Sequence, residues 1–141
     1  AQHFNQGFKV VEFMSAALLD MDWHTITEKN EMDVMDFEAA SLDKMGLIPE
    51  IVVRYRSPYF AHIFAGGYSS GYYSYAWAEV LDADAFEAFN ETSLFDQKTA
   101  QSFRKNVLEP NGLMDPLEMY VNFRGREAII EPLLRSRGLI N

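Results

Sequence analysis

Apolar residues recur at helical spacing at the start of the chain. Phe4, Phe8, Val11 and Leu18 follow one another at intervals of four, three and seven residues. In an α-helix this spacing places side chains on one face, because each turn takes about 3.6 residues. The pattern predicts a first helix from about Asn5 to Trp23.

A second helical pattern begins near Asp33, a residue type that often caps helix N-termini. Val34, Phe37 and Met45 then fall along one face, and Gly46 stands where a helix commonly ends. We therefore expect a second helix between Asp33 and Gly46.

The hydrophobic period changes after this glycine. The stretch "IPEIVVRYRSPYF" holds two prolines and a run of β-branched residues at Ile51, Val52 and Val53. Such residues favour extended backbone, although a lone strand would need a partner elsewhere. The sequence predicts at most a short extended or strand segment near residues 50–56.

Helical patterns return after the glycine pair at positions 66 and 67. A long helix is expected from about Ser69 to Phe89. After it, Asp96 can cap a further helix that reaches about Leu108. The residues "EPNG" that follow are typical of a turn.

The last part of the chain predicts two more helices. Asp115 can act as the N-cap of one, with Pro116 as its first residue. The other should span roughly Glu127 to Arg137, provided that Pro132 lies in its first turn, where a missing N–H breaks no bond. Together these patterns predict a mainly α fold and a single helical domain over residues 1–141.

Composition restricts the classes of protein that fit. The 141 residues are 48% hydrophobic, but no run of about 18 apolar residues predicts a membrane span. Cysteine is absent, which excludes disulfides and thiolate metal sites and gives a mild preference for the cytoplasm. The three histidines, at positions 3, 24 and 62, form no H-E-x-x-H zinc motif.

Charge argues against a nucleic-acid partner. The formal net charge is −9, and the acidic excess lies in the first hundred residues. An acidic surface repels phosphate backbones. The arginines of the last third alternate with acids, which favours ion pairs or a solvated mixed face over a basic binding surface.

Tyrosines crowd the segment that follows the glycine pair. If Ser69 or Ser70 caps the long helix, Tyr68, Tyr72 and Tyr75 fall on one face. A second aromatic stripe would lie beside them. From spacing alone, packing in a core or an interface is the favoured explanation, and a functional site is the alternative.

His62, Gly66 and Gly67 precede these tyrosines and leave similar alternatives open. A histidine in an apolar context is more often a core residue than an acid-base group or ligand. Glycines permit a loop to move or to approach a ligand, but they are also ordinary at the start of a helix. The segment lacks the lysine and spacing of a phosphate-binding loop.

The stretch "YRSPYFAHIFAGGYSSGYYSYAWAEVLDADAFEAF" resembles the histidine and tyrosine segment of the thimet-oligopeptidase-like zinc metallopeptidases, in particular the bacterial peptidyl-dipeptidases. The flanking stretches "AQHFNQGFKVVEFMSAALLDMDWH", "FRKNVLEPNGLMDPLEMYVNFRGRE" and "IEPLLRSRGL" also resemble the C-terminal part of that family. The resemblance covers essentially the whole chain.

The resemblance implies a helical C-terminal lobe of a zincin-type catalytic domain, forming one wall of a substrate channel. The implied activity is hydrolysis of oligopeptides with release of C-terminal dipeptides. Zinc would be held by two histidines and a glutamate in the remainder of the same polypeptide, so this piece would bind no metal and be inactive alone. The absence of an initiator Met fits a piece of a longer chain, whereas Gly138 after two arginines is typical of a natural C-terminus.

The resemblance also assigns roles to individual residues. Tyr75 would donate a hydrogen bond to the oxyanion, and His62 and Tyr68 would be further catalytic donors that contact the peptide. Gly66 and Gly67 would give the loop its freedom. These residues, together with Tyr72, form the expected substrate-binding set.

A second hypothesis is that the chain has no catalytic role. In this hypothesis the chain is an acidic helical module that binds a partner protein through an exposed aromatic surface. The two hypotheses differ in where they place the tyrosine hydroxyls. Exposure on an open surface favours the enzyme, whereas burial against backbone partners favours the binding module.

Overall fold

The computed structural model describes residues 3–29 and 31–141, and these residues form a mainly α structure. They divide into two compact units, of which the first ends at Tyr75 and the second begins at Ala76. No strand forms within the described ranges, which confirms the predicted fold class. None of their helices is long and apolar enough to cross a membrane. The helices are α1 (Gln6–His24), α2 (Val34–Lys44), α3 (Ala61–Phe64), α4 (Ser74–Asn90), α5 (Gln97–Phe103), α6 (Pro116–Arg124) and α7 (Glu131–Ser136).

The first two helices lie where the sequence predicts them. The Asp33 carboxylate accepts hydrogen bonds from the backbone N–H groups of Met35 and Asp36, at 2.7 and 3.1 Å. At the other end, Gly46 has a positive φ of 70° and ends the helical run. These are local interactions, so a local sequence pattern is enough to predict them.

The segment after α2 is extended but pairs with no strand among the described residues. Ile51 and Val53 are buried while Val52 between them is exposed. This alternation is what a strand would show. The chain then makes a short 3₁₀-helix at Ser57–Tyr59 and the short helix α3, neither of which the sequence predicted.

The core of the first unit forms around α1. Its fully buried side chains include Leu19, Phe60 and Ile63, and the ring of Tyr72 joins them at 3% exposure. The predicted apolar stripe of α1 is a different face. Its residues are exposed in the described structure: Phe4, Phe8, Val11 and Leu18.

The long helix α4 begins at Ser74, so the predicted start at Ser69 is wrong. The backbone of Ser70 has a φ of 55°, which is left-handed and cannot continue a right-handed helix. Two successive turns fill the gap: Gly71 N–H donates to the Tyr68 carbonyl at 2.8 Å, and Ser74 N–H donates to the Gly71 carbonyl at 3.0 Å.

Helix boundaries in the second unit follow their capping residues. The Asp96 carboxylate accepts from Thr99 N–H at 2.7 Å, and α5 continues as a π-helix to Leu108. The Asp115 carboxylate likewise caps α6, which begins at a proline as predicted. Helix α7 begins at Glu131 and not at the predicted Glu127, because a proline ring at position 132 excludes a preceding helical turn.

Ion pairs and a hydrogen bond connect the helices of the second unit. Asp84 on α4 is fully buried, and it accepts hydrogen bonds from Arg126 at 2.6 and 2.8 Å and from the Tyr120 hydroxyl at 2.5 Å. Arg124 donates to Glu91 through both terminal nitrogens at 2.9 Å. The expected pairing of the late arginines with acids is therefore confirmed for these two, although Arg124 is buried and not solvated.

Candidate functional site

The glycine-rich loop connects α3 to α4 and passes close to the backbone of His62. A Cβ atom at Gly66 would lie 3.0 Å from both the Cα and the carbonyl oxygen of His62, so no larger residue fits without displacing backbone. Gly67 has a φ of 81°, which also favours glycine. The two glycines therefore permit a tight turn immediately after the histidine.

Hydrogen bonds within this turn fix the position of Tyr68. Its N–H donates to the His62 carbonyl at 3.0 Å, and the Ser69 hydroxyl donates to the Ile63 carbonyl at 2.6 Å. Gly66 N–H donates to the Ala61 carbonyl at 2.7 Å. The loop is thus tied to α3 at several points, and the freedom expected from its glycines stays a prediction.

Two tyrosine rings stack on each other at the surface of the first unit. The ring centroids of Tyr68 and Tyr75 are 5.1 Å apart, with an interplanar angle of 28°. Their exposed fractions are 37% and 38%. The two phenols are therefore adjacent and open to solvent.

The prediction that three tyrosines share one helical face is wrong in its geometry, because Tyr68 and Tyr72 precede α4. The rings nevertheless lie close together, and Tyr72 contacts Tyr75 with centroids 5.4 Å apart. The Tyr72 ring is buried among aromatic neighbours, and this burial raises the pKa of its hydroxyl. The structure gives Tyr72 a packing role, and its contact with a substrate stays a prediction.

His62 lies half-buried beside the tyrosines. Its ring centroid is 4.8 Å from that of Tyr55, 5.8 Å from that of Tyr72 and 6.3 Å from that of Tyr68. The imidazole therefore borders the surface that carries the stacked phenols. The family resemblance assigned His62, Tyr68 and Tyr75 to one site, and the structure brings their side chains together.

The stacked pair affects the acidity of Tyr75. Hydrogen bonding to the Tyr68 side chain, with a smaller effect of burial, raises the pKa of Tyr75 to about 12. A phenol with this pKa keeps its proton across the neutral range. Tyr75 can therefore act as a hydrogen-bond donor at neutral pH.

Asp20 is a residue of this region that sequence reasoning missed. It is fully buried on α1 and accepts hydrogen bonds from the backbone N–H groups of Ser70 at 3.0 Å and Tyr72 at 2.9 Å. His24 Nδ1 lies 2.8 Å from the same carboxylate. The one available signal was an acid within the apolar run "AALLDM", since a charge there needs partners when it is buried.

Across residues 3–29 and 31–141, no group of three or more histidine or acidic side chains is arranged to hold a metal ion. The site described above consists of phenols, one imidazole and backbone groups. These residues do not fit a zinc ion.

Comparison with known proteins gives a consistent result. The chain is 42% identical over 141 residues to dipeptidyl carboxypeptidase of Escherichia coli K12, covering 99% of this chain and 21% of that protein. It is 41% identical to the organellar oligopeptidase A of Arabidopsis thaliana, covering 99% and 18%, and 35% identical to oligopeptidase A of Haemophilus influenzae, covering 100% and 21%. The chain thus spans about a fifth of the length of these relatives. The profile of peptidase family M3 matches residues 1–139, and the chain belongs to that family.

Proposed function

We propose that this chain is the C-terminal, substrate-facing part of a zinc metallopeptidase that hydrolyses peptide bonds in oligopeptides. Release of C-terminal dipeptides is the specific reaction proposed, because dipeptidyl carboxypeptidases are among the similar proteins. Membership of peptidase family M3 supports the reaction class. The observation that carries the proposal is the exposed pair of stacked phenols beside His62.

The chemistry of amide hydrolysis suits these residues. Attack of water on the peptide carbonyl places negative charge on its oxygen. A donor fixed near that oxygen stabilises the transition state more than the neutral substrate. Tyr75 is the proposed donor, since its raised pKa keeps the hydroxyl protonated.

The neighbouring residues take supporting roles in this proposal. Tyr68 supplies a second hydroxyl, because its ring stacks on that of Tyr75. His62 donates to the bound peptide from the edge of the same surface. Gly66 and Gly67 allow the loop to bring Tyr68 close to α3, which carries His62.

The remainder of the same polypeptide is a further proposed partner. Zinc in the full-length parent would be held by residues outside this chain, since the described residues provide no group of ligands for it. The 141 residues alone would then be inactive. A cytoplasmic location is also proposed, supported by the absence of cysteine.

The test is the Tyr75→Phe variant of the full-length parent enzyme. Removal of one oxyanion donor should lower kcat by about 100- to 1,000-fold and leave the zinc content unchanged. Tyr73→Phe is the matched control, because Tyr73 is an exposed tyrosine two residues away. A Tyr75→Phe enzyme that cleaves a tripeptide or tetrapeptide at the wild-type rate would contradict the assigned role.

One observation favours a second candidate, a non-catalytic acidic module that binds a partner protein. The exposed apolar stripe of α1 is the kind of surface that a partner covers. The exposed hydroxyl-bearing rings of Tyr68 and Tyr75 support the enzyme instead. A full-length parent that cleaves no peptide when loaded with zinc would leave the binding module as the better hypothesis.

A further inference from the structure

We infer that Asp20 is a positioning residue that holds the tyrosine loop, and with it the start of α4, in the geometry that the reaction needs. The inference rests on the proposed function, because it concerns the same tyrosines. Asp20 is fully buried and does not reach the surface that carries the phenols. It acts through the backbone of Ser70 and Tyr72.

The Asp20 carboxylate bridges the last turns before α4. Its Oδ1 accepts from Ser70 N–H at 3.0 Å, and its Oδ2 accepts from Tyr72 N–H at 2.9 Å. Because the two oxygens bind donors two residues apart, they fix both the position and the orientation of the backbone between them. Hydrogen bonds to an ionised acceptor are stronger than bonds between neutral groups.

Ser70 needs such an anchor. Its φ of 55° lies in the left-handed region, which costs a non-glycine residue free energy. A residue persists in this conformation only when its surroundings hold it there. The hydrogen bond from its N–H to a fully buried carboxylate supplies that constraint.

The anchor is transmitted to both surface tyrosines. Tyr75 N–H donates to the Tyr72 carbonyl at 3.4 Å, and the Tyr72 ring lies against the Tyr75 ring. On the other side, the Tyr68 carbonyl accepts from Gly71 N–H within the same turn. A shift of the backbone at Ser70 and Tyr72 would therefore move the two stacked phenols.

His24 completes the arrangement and has a definite tautomer. Its Nδ1 lies 2.8 Å from Asp20 Oδ1 and 2.9 Å from the Asp20 carbonyl oxygen. Both neighbours accept hydrogen bonds, so Nδ1 must carry a proton in either charge state. His24 thus donates to the carboxylate and fixes its orientation from the solvent side, where the imidazole is 22% exposed.

The first unit contains a natural control for this assignment. Glu38 on α2 is also buried, and it binds one charged side chain and one backbone donor: the Arg56 guanidinium and the Ser57 N–H, the latter at 2.6 Å. Its partners lie outside the tyrosine loop. The Glu38→Gln substitution therefore measures the effect of replacing a buried carboxylate by an amide in the same unit, with the hydrogen bonds of the tyrosine loop left in place.

The experiment compares Asp20→Asn with Glu38→Gln in the full-length parent enzyme. An asparagine side chain has nearly the same size, but its amide nitrogen donates and cannot accept. It can therefore replace only one of the two hydrogen bonds that the Asp20 carboxylate accepts. We expect Asp20→Asn to lower kcat by about 10- to 100-fold with little change in KM. We also expect faster amide hydrogen exchange in peptides covering residues 66–75, whereas Glu38→Gln should change neither quantity.

Several outcomes would overturn the inference. One is faster exchange in the loop of Asp20→Asn with a wild-type kcat, and another is an equal fall in kcat for Glu38→Gln. If Asp20→Asn does not fold, His24→Ala takes its place, with smaller effects in the same direction on both readouts. An unchanged kcat in Tyr75→Phe would instead count against the proposed function, while the exchange measurement would still decide whether Asp20 holds the loop.

Discussion

Asp20 and Asp84 are both fully buried carboxylates on long helices, one in each compact unit, yet they are held by different kinds of donor. Asp20 accepts from two backbone N–H groups and an imidazole. Asp84 accepts from the guanidinium of Arg126 and the hydroxyl of Tyr120. A carboxylate bound to backbone fixes a loop, whereas one bound to side chains joins helices.

The difference extends to what is left behind when each carboxylate is removed. Loss of Asp84 would leave the guanidinium groups of Arg124 and Arg126 without a carboxylate that lies within 3.5 Å of both. Loss of Asp20 would leave two backbone N–H groups without a formal charge. Uncompensated charge costs more free energy than an unpaired N–H, so the two sites should respond unequally.

The largest expected effect is that of Asp84→Ala. We expect the free energy of unfolding of the second unit to fall by about 3 kcal/mol, because the partly exposed Arg126 guanidinium and the buried Tyr120 hydroxyl both lose their acceptor. Urea denaturation of the 141-residue chain measures the change. Asp82→Ala, an exposed acid on the same helix, is the control and should change stability by less than about 0.5 kcal/mol. Equal effects of the two substitutions would refute the comparison.

Asp20→Ala should destabilise the first unit by less, about 1–3 kcal/mol. Only two backbone N–H groups and His24 lose their acceptor. The loop lies close to the surface, so water can replace some of these hydrogen bonds. Urea denaturation again measures the change in the free energy of unfolding. An effect larger than that of Asp84→Ala would show that the backbone anchor is the stronger of the two.

Acid should weaken the contribution of Asp84 to stability. Burial alone would raise its pKa, but the hydrogen bonds from Arg126 and Tyr120 and the nearby positive charges outweigh burial, so the pKa lies below its usual value. A carboxyl with a lowered folded-state pKa stabilises the fold above its unfolded-state pKa, near 4, and loses that contribution as pH falls through the folded-state pKa.

The Asp84→Asn variant tests this sign. Removal of one such proton-binding group should reduce the slope of unfolding free energy against pH by up to about 1.4 kcal/mol per pH unit below pH 4. Urea denaturation at a series of acidic pH values measures the slope. An unchanged slope, or one equal to that of exposed Asp82→Asn, would mean that Asp84 is not the group responsible.

The smallest expected effect concerns the conformation that Asp20 holds. Ser70→Gly relieves left-handed strain but adds freedom to the unfolded chain, and the two terms are each about 1 kcal/mol, so stability should change by no more than about 0.5 kcal/mol. Ser69→Gly should cost about 1 kcal/mol or more, because it also removes the hydroxyl bond to the Ile63 carbonyl. A reversed order would argue against strain at Ser70.

These two regions also show which parts of the fold the sequence predicts. Asp33, Asp96 and Asp115 cap their helices through donors two or three residues away, so a short pattern contains all the information. The anchor from Asp20 joins residues separated by 50 and 52 positions. No local pattern encodes that pairing, and this is why the start of α4 was predicted five residues too early.

The candidate site shows the same division. His62, Tyr68 and Tyr75 were found from a resemblance to a family, and the structure gives the contact between their rings. The burial of Tyr72 was left open, because spacing alone cannot separate a core ring from a surface ring. Asp20 was missed because its partners are backbone groups, which carry no signature of their own in a sequence.

Gly66 has a consequence for how mutational scans of this loop should be interpreted. A Cβ there would stand 3.0 Å from the Cα and the carbonyl oxygen of His62, so a side chain at position 66 requires a shift of a few tenths of an ångström in the backbone around them. In an alanine scan, a loss of activity at position 66 would therefore include the effect of a shifted His62 imidazole. The contribution of the His62 side chain to activity is measured by substitutions at His62 itself.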